Sequence, residues 1–398
     1  MGGIIIFSSG NALIIQSGGP TAVINSSLVG IIDSICQNSN IKIYGAKGGF
    51  QGLLENSFIR LDTLSKEKLD KIKHSPGAIL GTCRLKIDEN CLNILFNNLK
   101  GLNIRFLFCI GGNGTMYVTN LIGEYAQKKK YDLYVIGVPK SIDNDLYQID
   151  HSPGYISAAK FLISCCKDIT FDISSYDSPK KITIIETMGR NTGWLAASCR
   201  MASTIDSNVK QLIYIPEIPF DLEKCLEKVE KYYRDNHHTL LIVSEGIKNI
   251  NGQFFSSSLK YDALKRPHLG GVSYQLKKLI DENLGLNTRN IDTSIWQRCG
   301  SQYISTTDLN EAYSLGYKAW ELVRNQQNKV MISLKRKNES TYKPIFFFTD
   351  LENVAGMEKK FPSNWYNIEN SYVTDDILDY LSPLLKEDET AHSIIGNF

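Results

Sequence analysis

Five short apolar runs, each followed by glycine or other turn-forming residues, constrain what this chain can fold into. The runs lie at 12–15, 106–110, 134–138, 181–185 and 240–243. Each gives way to a helical pattern, which is typical of a parallel sheet with crossover helices. Ligands of such sheets bind beyond the carboxyl ends of the strands. The sequence therefore predicts an α/β fold whose functional residues lie in the loops that follow these runs.

Length and charge narrow the class of protein. The 398 residues, of which 42% are hydrophobic, suffice for two domains with separate cores. A net charge of +2 provides no basic field for nucleic acid, and no run approaches the roughly 20 apolar residues that span a bilayer. The nine cysteines show no zinc-binding spacing and fit reduced thiols in the cytosol. We therefore expect a cytoplasmic protein that binds neither nucleic acid nor a membrane.

Two glycine turns follow apolar runs and precede helical patterns. The first comprises Ser17, Gly18 and Gly19, and the second is Gly-Gly-Asn-Gly-Thr at 111–115, with Thr115 as the expected helix cap. Exposed backbone N–H groups at such turns can hold a phosphate, although a single glycine turn serves tight packing about as often. The second turn is not a P-loop, because no Gly-Lys-Ser/Thr ends it. Two turns on one sheet edge favour a nucleotide or polyphosphate site.

A pair of aspartates follows the third apolar run. Asp143 and Asp145 are two residues apart after Pro139, so in an extended segment their side chains lie on the same side and Asn144 points away. One carboxylate can then accept a proton while the other meets a metal. Paired aspartates in a polar loop are usually only solvated turn formers. The motif therefore needs support from elsewhere in the chain.

Arginines in small-residue loops provide that support. A guanidinium presents a planar fork of donors that matches phosphate, although each arginine alone is more often a surface ion-pair partner. The four that stand out are Arg84, Arg190, Arg289 and Arg298. Their number favours a substrate that carries phosphate.

In this order, the motifs resemble the phosphofructokinase family of fructose-6-phosphate 1-kinases, from about Ile14 to Gly316. The resemblance rests on SGGPTAVIN at 17–25, LGTCR at 80–84, GGNGT at 111–115, PKSIDNDL at 139–146 and ETMGRNTGW at 186–194. It implies two Rossmann-like three-layer domains with mainly parallel sheets and an active site in the cleft between them. The larger, phosphoryl-donor domain would comprise residues 1–152 plus about 298–345. The sugar-phosphate domain would comprise about 153–297 plus the tail 346–398.

The resemblance also implies roles for individual residues. Asp143 is expected to be the general base for the sugar 1-hydroxyl, Asp145 to support the metal, and Lys140 and Ser141 to lie beside the transferring phosphoryl group. The positions that the resemblance places around the phosphoryl donor are Gly18, Phe50, Arg84, Gly114 and Thr115. The sugar phosphate would be held by Met188, Gly189, Arg190, Glu245 and Arg298, with Lys181 and Arg289 reaching it from a neighbouring subunit. A homodimer or homotetramer that uses Mg²⁺, with Asn113 at the metal-associated position, is therefore implied.

The family divides by phosphoryl donor, and two positions disagree. Pyrophosphate-using members usually carry an aspartate at the fourth position of GGxxT, which blocks the α-phosphate of a nucleotide, whereas this chain has Gly114. They also usually carry a lysine after the proline of the base motif, as this chain does at Lys140. A carboxylate in the α-phosphate pocket adds overlap and like-charge repulsion, while an extra lysine helps either donor. We therefore predict ATP as the donor and pyrophosphate as the alternative, although overall length, segment 75–84 and Asn113 resemble the pyrophosphate-using bacterial branch.

Three departures from the family pattern bear on function. Asn113 stands where ATP-using members usually place a metal-associated aspartate, Ile295 where a histidine or tyrosine bonds the sugar phosphate, and Phe50 where a tyrosine is common. Asn113 and Ile295 leave open a catalytically silent subunit that binds sugar phosphate and regulates a partner. A lipid or NAD kinase also has a GGxGT turn, but it predicts neither the paired aspartates nor the Met-Gly-Arg segment. The retained aspartates favour an active 6-phosphofructokinase.

Overall fold

The computed structural model describes residues 10–176, 181–203, 206, 208–261, 265, 267–337 and 342–386. Its strands are β1 (Asn11–Gln16), β2 (Ile43–Ala46), β3 (Phe58–Arg60), β4 (Ile104–Gly111), β5 (Tyr134–Pro139), β6 (Ile182–Thr187), β7 (Val209–Tyr214), β8 (His238–Ser244), β9 (Ser257–Tyr261), β10 (Pro267–Leu269), β11 (Thr288–Asp292), β12 (Val330–Arg336), β13 (Pro344–Asp350), β14 (Tyr366–Asn367) and β15 (Tyr372–Val373).

Helices alternate with most of these strands. They are α1 (Ile24–Asn38), α2 (Phe50–Leu54), α3 (Lys66–Lys73), α4 (Glu89–Gly101), α5 (Asn113–Lys128), α6 (Tyr155–Ser174), α7 (Trp194–Ser198), α8 (Leu222–Arg234), α9 (Val272–Leu284), α10 (Trp296–Cys299), α11 (Thr306–Arg324) and α12 (Asp376–Leu385). Within the described ranges, every helix is too short or too polar to cross a bilayer.

The five apolar runs form β1, β4, β5, β6 and β8, which confirms the predicted α/β fold. Their side chains are almost fully enclosed, as the run from Phe106 to Ile110 in β4 shows. Strands of a parallel sheet are covered by helices on both faces and are therefore apolar along their whole length. This burial explains why the runs lack the alternation of polar and apolar residues that a one-sided sheet would show.

The first of two compact units comprises residues 1–156 and 306–359. Its seven-stranded sheet has the order β13-β12-β5-β4-β1-β2-β3. The five central strands are parallel, and β3 and β13 are antiparallel edges. Helices α1 and α11 pack closely at two glycines: a Cβ on Gly30 would lie 2.1 Å from the carbonyl oxygen of Tyr313, and a Cβ on Gly316 would lie 2.0 Å from that of Ser27.

The second unit comprises residues 157–305 and 360–398. Its four-stranded sheet, in the order β11-β6-β8-β7, is parallel throughout. Its core includes Ile184, Leu212, Leu241 and Leu276, which come from the sheet and from α9. The carboxyl ends of β6 and β8 are adjacent in this sheet, so the loops that follow them lie side by side.

The borders between the units differ from those expected from sequence. The predicted border at about 345 would cut β13, which pairs with β12 from Pro344 to Asp350. These hydrogen bonds keep residues up to 359 in the first unit. At the other border, residues 298–305 belong to the second unit rather than the first.

Candidate active site

Lys140 joins three strand ends in the first unit. It follows β5, and its side chain is 4% exposed. Its Nζ donates to the carbonyl oxygen of Gly19 at 2.7 Å, after β1, and its backbone N–H donates to the carbonyl oxygen of Gly111 at 3.0 Å, at the end of β4. Gly18 has φ of +81° and lies so close that a Cβ there would be 3.3 Å from Lys140 Nζ. The two predicted glycine turns therefore meet at one lysine.

A third glycine turn, which the sequence analysis overlooked, completes this edge. Gly49 follows β2 with φ of +71°, and a Cβ there would lie 2.9 Å from the carbonyl oxygen of Gln16 and 3.2 Å from the backbone nitrogen of Cys83. Thr82 Oγ1 donates to the carbonyl oxygen of Gly18 at 2.6 Å. The loop 80–84 is thereby held beside the first turn, with the side chain of Arg84 exposed. The available signal was the Gly48-Gly49 pair, one residue after the end of β2.

The turn at 111–115 begins α5. Gly112 is the N-cap, so Thr115 lies inside the first turn and is not the cap that the sequence analysis expected. Thr115 is buried, and its Oγ1 would lie 2.1 Å from a Cβ on Gly111. Gly114 is exposed, and a Cβ there would meet no described atom within 4 Å. The position that the family resemblance links to the choice of donor is therefore open.

The aspartate loop is bent rather than extended. Asn144 has φ of +53°, in the left-handed region. The segment is therefore not extended, and the prediction that the side chains of Asp143 and Asp145 lie on the same side does not apply. Hydrogen bonds fix Asp145 instead: its carboxylate accepts from Ser141 Oγ at 2.6 Å and from Asn113 Nδ2 at 3.0 Å. The backbone N–H of Asp143 donates to Ser141 Oγ at 3.2 Å, and its side chain is half-buried.

Phe50 differs from its expected role at the donor site. Its side chain is 3% exposed and packs in the hydrophobic core of the first unit. The ring therefore contributes to packing rather than presenting a face to a ligand. The other predicted positions in this unit all follow the carboxyl ends of β1, β4 and β5, in loops or in the first turn of α5, or lie in the loop 80–84 beside them.

In the second unit, the loops after β6 and β8 are joined through glycine. Gly189 has φ of +126°, and a Cβ there would lie 2.5 Å from the carbonyl oxygen of Thr192 and 2.8 Å from Ser244 Oγ. Ser244 Oγ donates to the carbonyl oxygen of Gly189 at 2.6 Å. Only glycine satisfies both the backbone angle and the space. The Met188-Gly189-Arg190 segment is thereby held against Glu245.

Glu245 is the acidic centre of this second group. Burial raises the pKa of its carboxyl group, Arg190 lowers it, Glu186 raises it and Arg298 lowers it, and the pKa remains above its usual value. Both predicted arginines therefore lie within electrostatic reach of one carboxylate. Arg190 also donates from Nη2 to the carbonyl oxygen of Pro267 at 2.8 Å.

Gln297 holds α10 against this group, a role that the sequence analysis did not predict. It is 2% exposed, and its Oε1 accepts from the backbone N–H of Met188 at 2.9 Å. Its neighbour Arg298 is thereby fixed near the Met188 loop. Ile295, at the start of α10, is 64% exposed and offers no polar group. Sequence offered only the adjacent Gln-Arg pair as a signal.

Lys181 and Arg289 lie at the opposite end of this sheet. Lys181 precedes β6, and Arg289 pairs in register with Thr183 near the start of that strand. Lys181 Nζ is 4.7 Å and Arg289 Cζ is 5.6 Å from the centre of the Tyr176 ring, and Arg289 Nη1 is 2.7 Å from Asp172 Oδ2. A six-residue strand spans about 20 Å. The structure thus brings these two cations together but separates them from Met188 and its neighbours in the same chain.

Glycine turns, a buried lysine and an aspartate loop at one sheet edge of an α/β fold suit phosphoryl transfer. A family model described as phosphofructokinase matches residues 11–323. The chain therefore belongs to the phosphofructokinase family, as its motifs indicated, and is a phosphotransferase with an alcohol acceptor.

Curated relatives and a solved structure resemble this chain along most of its length. A pyrophosphate--fructose 6-phosphate 1-phosphotransferase of Halomonas elongata is 31% identical and aligns over 95% of this chain and 92% of its own length. A sulfofructose kinase of Alkalicoccus urumqiensis is 32% identical over 90% and 92%, and an ATP-dependent 6-phosphofructokinase of Clostridium perfringens is 28% identical over 87% and 92%. The crystal structure of a pyrophosphate-dependent phosphofructokinase from Marinobacter aquaeolei is 29% identical, with a TM-score of 0.85 and coverage of 97% and 93%.

Proposed function

We propose that this chain is a 6-phosphofructokinase that transfers a phosphoryl group to the 1-hydroxyl of fructose 6-phosphate and forms fructose 1,6-bisphosphate in glycolysis. One observation carries the proposal: the loop with Asp143 continues directly from Lys140, whose side chain and backbone bond to both glycine turns. A carboxylate and a phosphate-binding edge therefore lie within a few residues of each other. The names of the relatives support the acceptor.

The first unit would carry the chemistry. The Asp143 carboxylate accepts the proton of the 1-hydroxyl while the alcohol oxygen forms a bond to the terminal phosphorus of the donor. The bond from that phosphorus to the leaving oxygen breaks, which releases ADP or phosphate. Lys140 and the N–H groups of the turns at Gly18 and Gly114 stabilise the charge on the transferring group. Phosphoryl transfer requires mainly such positioning and charge stabilisation.

The second unit would bind the sugar phosphate. Arg190 and Arg298 supply guanidinium donors, and Glu245 between their charges accepts from a sugar hydroxyl, with Met188 and Gly189 shaping the loop. A cation pair formed by Lys181 and Arg289 at the other end of the sheet suits the 6-phosphate of a neighbouring subunit. This placement supports a homodimer or homotetramer.

The residues around Asp145 fit Mg²⁺. This ion usually binds one or two carboxylates together with substrate phosphates and water. Asn113 Oδ1 is buried without a hydrogen-bond partner among the described residues, while Asn113 Nδ2 is bonded to Asp145. Asp145 and this amide oxygen would hold the ion or its water, and Asp143 would remain the general base. When bound, Mg²⁺ would neutralise charge that develops on the donor phosphates.

Two donors remain candidates, and each is favoured by a specific observation. ATP, our first choice, is favoured by the open space at Gly114, which accommodates an α-phosphate that an aspartate would repel. Pyrophosphate is favoured by the relatives, since the Halomonas enzyme and the Marinobacter structure are both named for that donor and the ATP-dependent relative is less similar. The comparisons therefore support pyrophosphate more than ATP.

Turnover with each donor tests the proposal. Purified protein, Mg²⁺ and fructose 6-phosphate are mixed with ATP or with pyrophosphate, and fructose 1,6-bisphosphate is measured. Sulfofructose serves as a second acceptor, because one relative is named for it and Ile295 provides no polar contact. Product with either donor supports the function and identifies the donor. Binding of fructose 6-phosphate without turnover would instead indicate a regulatory subunit.

Gly114→Asp tests the steric basis of the donor choice. The new side chain has open space, so the variant should fold. We expect kcat/KM with ATP to fall at least about 10-fold, because an added carboxylate repels the α-phosphate, while kcat/KM with pyrophosphate changes less. Gly101→Asp is a matched control at another glycine with open space, next to the amino end of β4. Equal loss with both donors would contradict the steric explanation.

A further inference from the structure

The proposed mechanism does not use Lys359, whose ammonium group is enclosed beside the aspartate loop. The residue as a whole is partly exposed, but its Nζ lies within hydrogen-bond distance of three oxygens. These are Asn144 Oδ1 at 3.0 Å and the carbonyl oxygens of Ile149 at 3.2 Å and Asp150 at 2.6 Å. An ammonium group has three N–H donors, and here each can reach an acceptor.

Asn144 is the residue that these contacts constrain most. It is fully buried, stands between Asp143 and Asp145, and adopts the left-handed conformation. Asparagine adopts this conformation more readily than most non-glycine residues, and here the hydrogen bonds of its side chain hold it in place. Its Oδ1 accepts from Lys359 Nζ and from the backbone N–H of Ser152 at 3.0 Å. The direction of the chain between the two aspartates therefore depends on this amide.

The backbone of the lysine is anchored separately from its side chain. The N–H of Lys359 donates to the carbonyl oxygen of Asp145 at 2.8 Å, and Glu358 forms an antiparallel bridge with Leu146. A substitution at Lys359 therefore removes the ammonium group while these main-chain contacts can persist. This separation lets the contribution of the charge to positioning be measured on its own.

The charges around the ammonium group form a buried network. Asp150 receives Nε and Nη2 of Arg336, both at 2.8 Å, and lies 2.7 Å from His151 Nδ1. Burial lowers the pKa of Lys359 to about 7, although the carboxylates of Asp150 and Asp145 raise it, and Arg336 lowers it further. Lys359 thus connects a rigid ionic network to the loop with Asp143.

We propose that Lys359 is a positioning residue for phosphoryl transfer, since its ammonium group fixes Asn144 and thereby sets the direction of Asp143. This inference rests on the proposed function. Lys359 bonds to Asn144 and to backbone oxygens, and it acts on the reaction through the geometry of the general base. Misplacement of a reacting group by about 1 Å can lower a rate about 100-fold.

The test compares Lys359→Met, which retains an unbranched stem without donors, with the wild type and with the exposed control Lys343→Met. We expect kcat to fall about 10- to 100-fold in Lys359→Met, with KM for both substrates within about threefold and with the control unchanged. A wild-type kcat in Lys359→Met would overturn the inference while leaving the proposed function intact. An inactive wild type would instead refute the function itself.

A double-mutant cycle separates positioning from general destabilisation. Asn144→Gly keeps the left-handed conformation and removes the amide oxygen. If Lys359 acts through Asn144, the double variant loses no more kcat than the stronger single variant. Independent, multiplicative losses would overturn the inference. If Lys359→Met does not fold, Asn144→Gly carries the test, and a wild-type kcat in that variant would also overturn it.

Discussion

The strand-end loops of the two units are built differently. In the first unit, polar side chains are bonded to the loops themselves: Lys140 to Gly19, Thr82 to Gly18, and Ser141 to Asp145. In the second unit, Arg190 and Arg298 lie within electrostatic reach of Glu245, and a second carboxylate, that of Glu186, lies near it as well. The first arrangement fixes geometry, whereas the second provides positive charge for an anion.

This difference predicts different kinetic consequences. Substitutions in the strand-end loops of the first unit should lower kcat, because they disturb groups that must be aligned in the transition state. Substitutions in the strand-end loops of the second unit should mainly raise KM, because they remove contacts that the protein already makes with the bound substrate before the transition state. A substitution that mainly raised KM in the first unit, or mainly lowered kcat in the second, would contradict this difference.

Asp143→Asn should have the largest effect. Loss of the general base should lower kcat about 10²- to 10⁴-fold, while the Kd for fructose 6-phosphate stays within about twofold. Steady-state kinetics and calorimetric titration measure the two quantities. Asp132→Asn, in the exposed loop before β5, serves as a matched control. Near-normal turnover would remove Asp143 from the proposed role.

His151→Gln should reveal how much the buried ionic contacts of His151 with Asp150 and Glu311 stabilise the first unit. His151 Nδ1 is 2.7 Å from Asp150 Oδ1, and its Nε2 is 2.6 Å from Glu311 Oε2. Burial lowers the pKa of His151, but Glu311 and Asp150 raise it more, to about 9. The pKa of His151 is higher in the folded state than in the unfolded state, where it is about 6.5, so protonation of His151 stabilises the fold. This stabilisation is complete below pH 6.5 and is lost as pH rises through 9.

We therefore expect His151→Gln to lower the free energy of unfolding by about 3 kcal/mol at pH 6, on the scale of the pKa shift. The difference from wild type should narrow between pH 6.5 and 9. Urea denaturation at several pH values measures it, with the exposed His74→Gln as control. A difference that stays constant across this range would contradict the assignment of a charged His151.

Arg190→Gln should have the smallest of these effects and should act on binding. Loss of one charge-assisted hydrogen bond to a phosphate, about 1.5–3 kcal/mol, should raise KM for fructose 6-phosphate about 10- to 100-fold, with kcat within about threefold. Arg234→Gln, at the end of α8 and paired with Glu230, is the matched control. An unchanged KM would show that the strand-end loops of the second unit do not bind the sugar phosphate.

Sequence identified the strands and most strand-end residues because those signals are local. A continuous apolar run followed by glycine marks a buried parallel strand and its turn. Asn144 carries a weaker signal: asparagine is enriched in the left-handed region, but a single asparagine in a polar loop does not specify that conformation. The role of Lys359 also escaped detection, because its contacts with Asn144 join positions more than 200 residues apart.

The domain border and the cation pair show the same limit. Whether residues 346–359 belong to the first unit depends on the pairing of β13 with β12, which no local pattern specifies. Likewise, the expectation that Lys181 and Arg289 act from a neighbouring subunit came only from the resemblance, and no local pattern showed that they lie at the other end of the sheet, where the register of β6 and β11 places them.

The most direct test of the central claim is the identity of the product. Phosphorus NMR of a reaction containing wild-type protein, Mg²⁺, fructose 6-phosphate and each donor in turn would detect a new phosphomonoester. The account predicts that it is attached to C1 and forms with at least one donor. Absence of fructose 1,6-bisphosphate with both donors, or phosphate on another carbon, would contradict it.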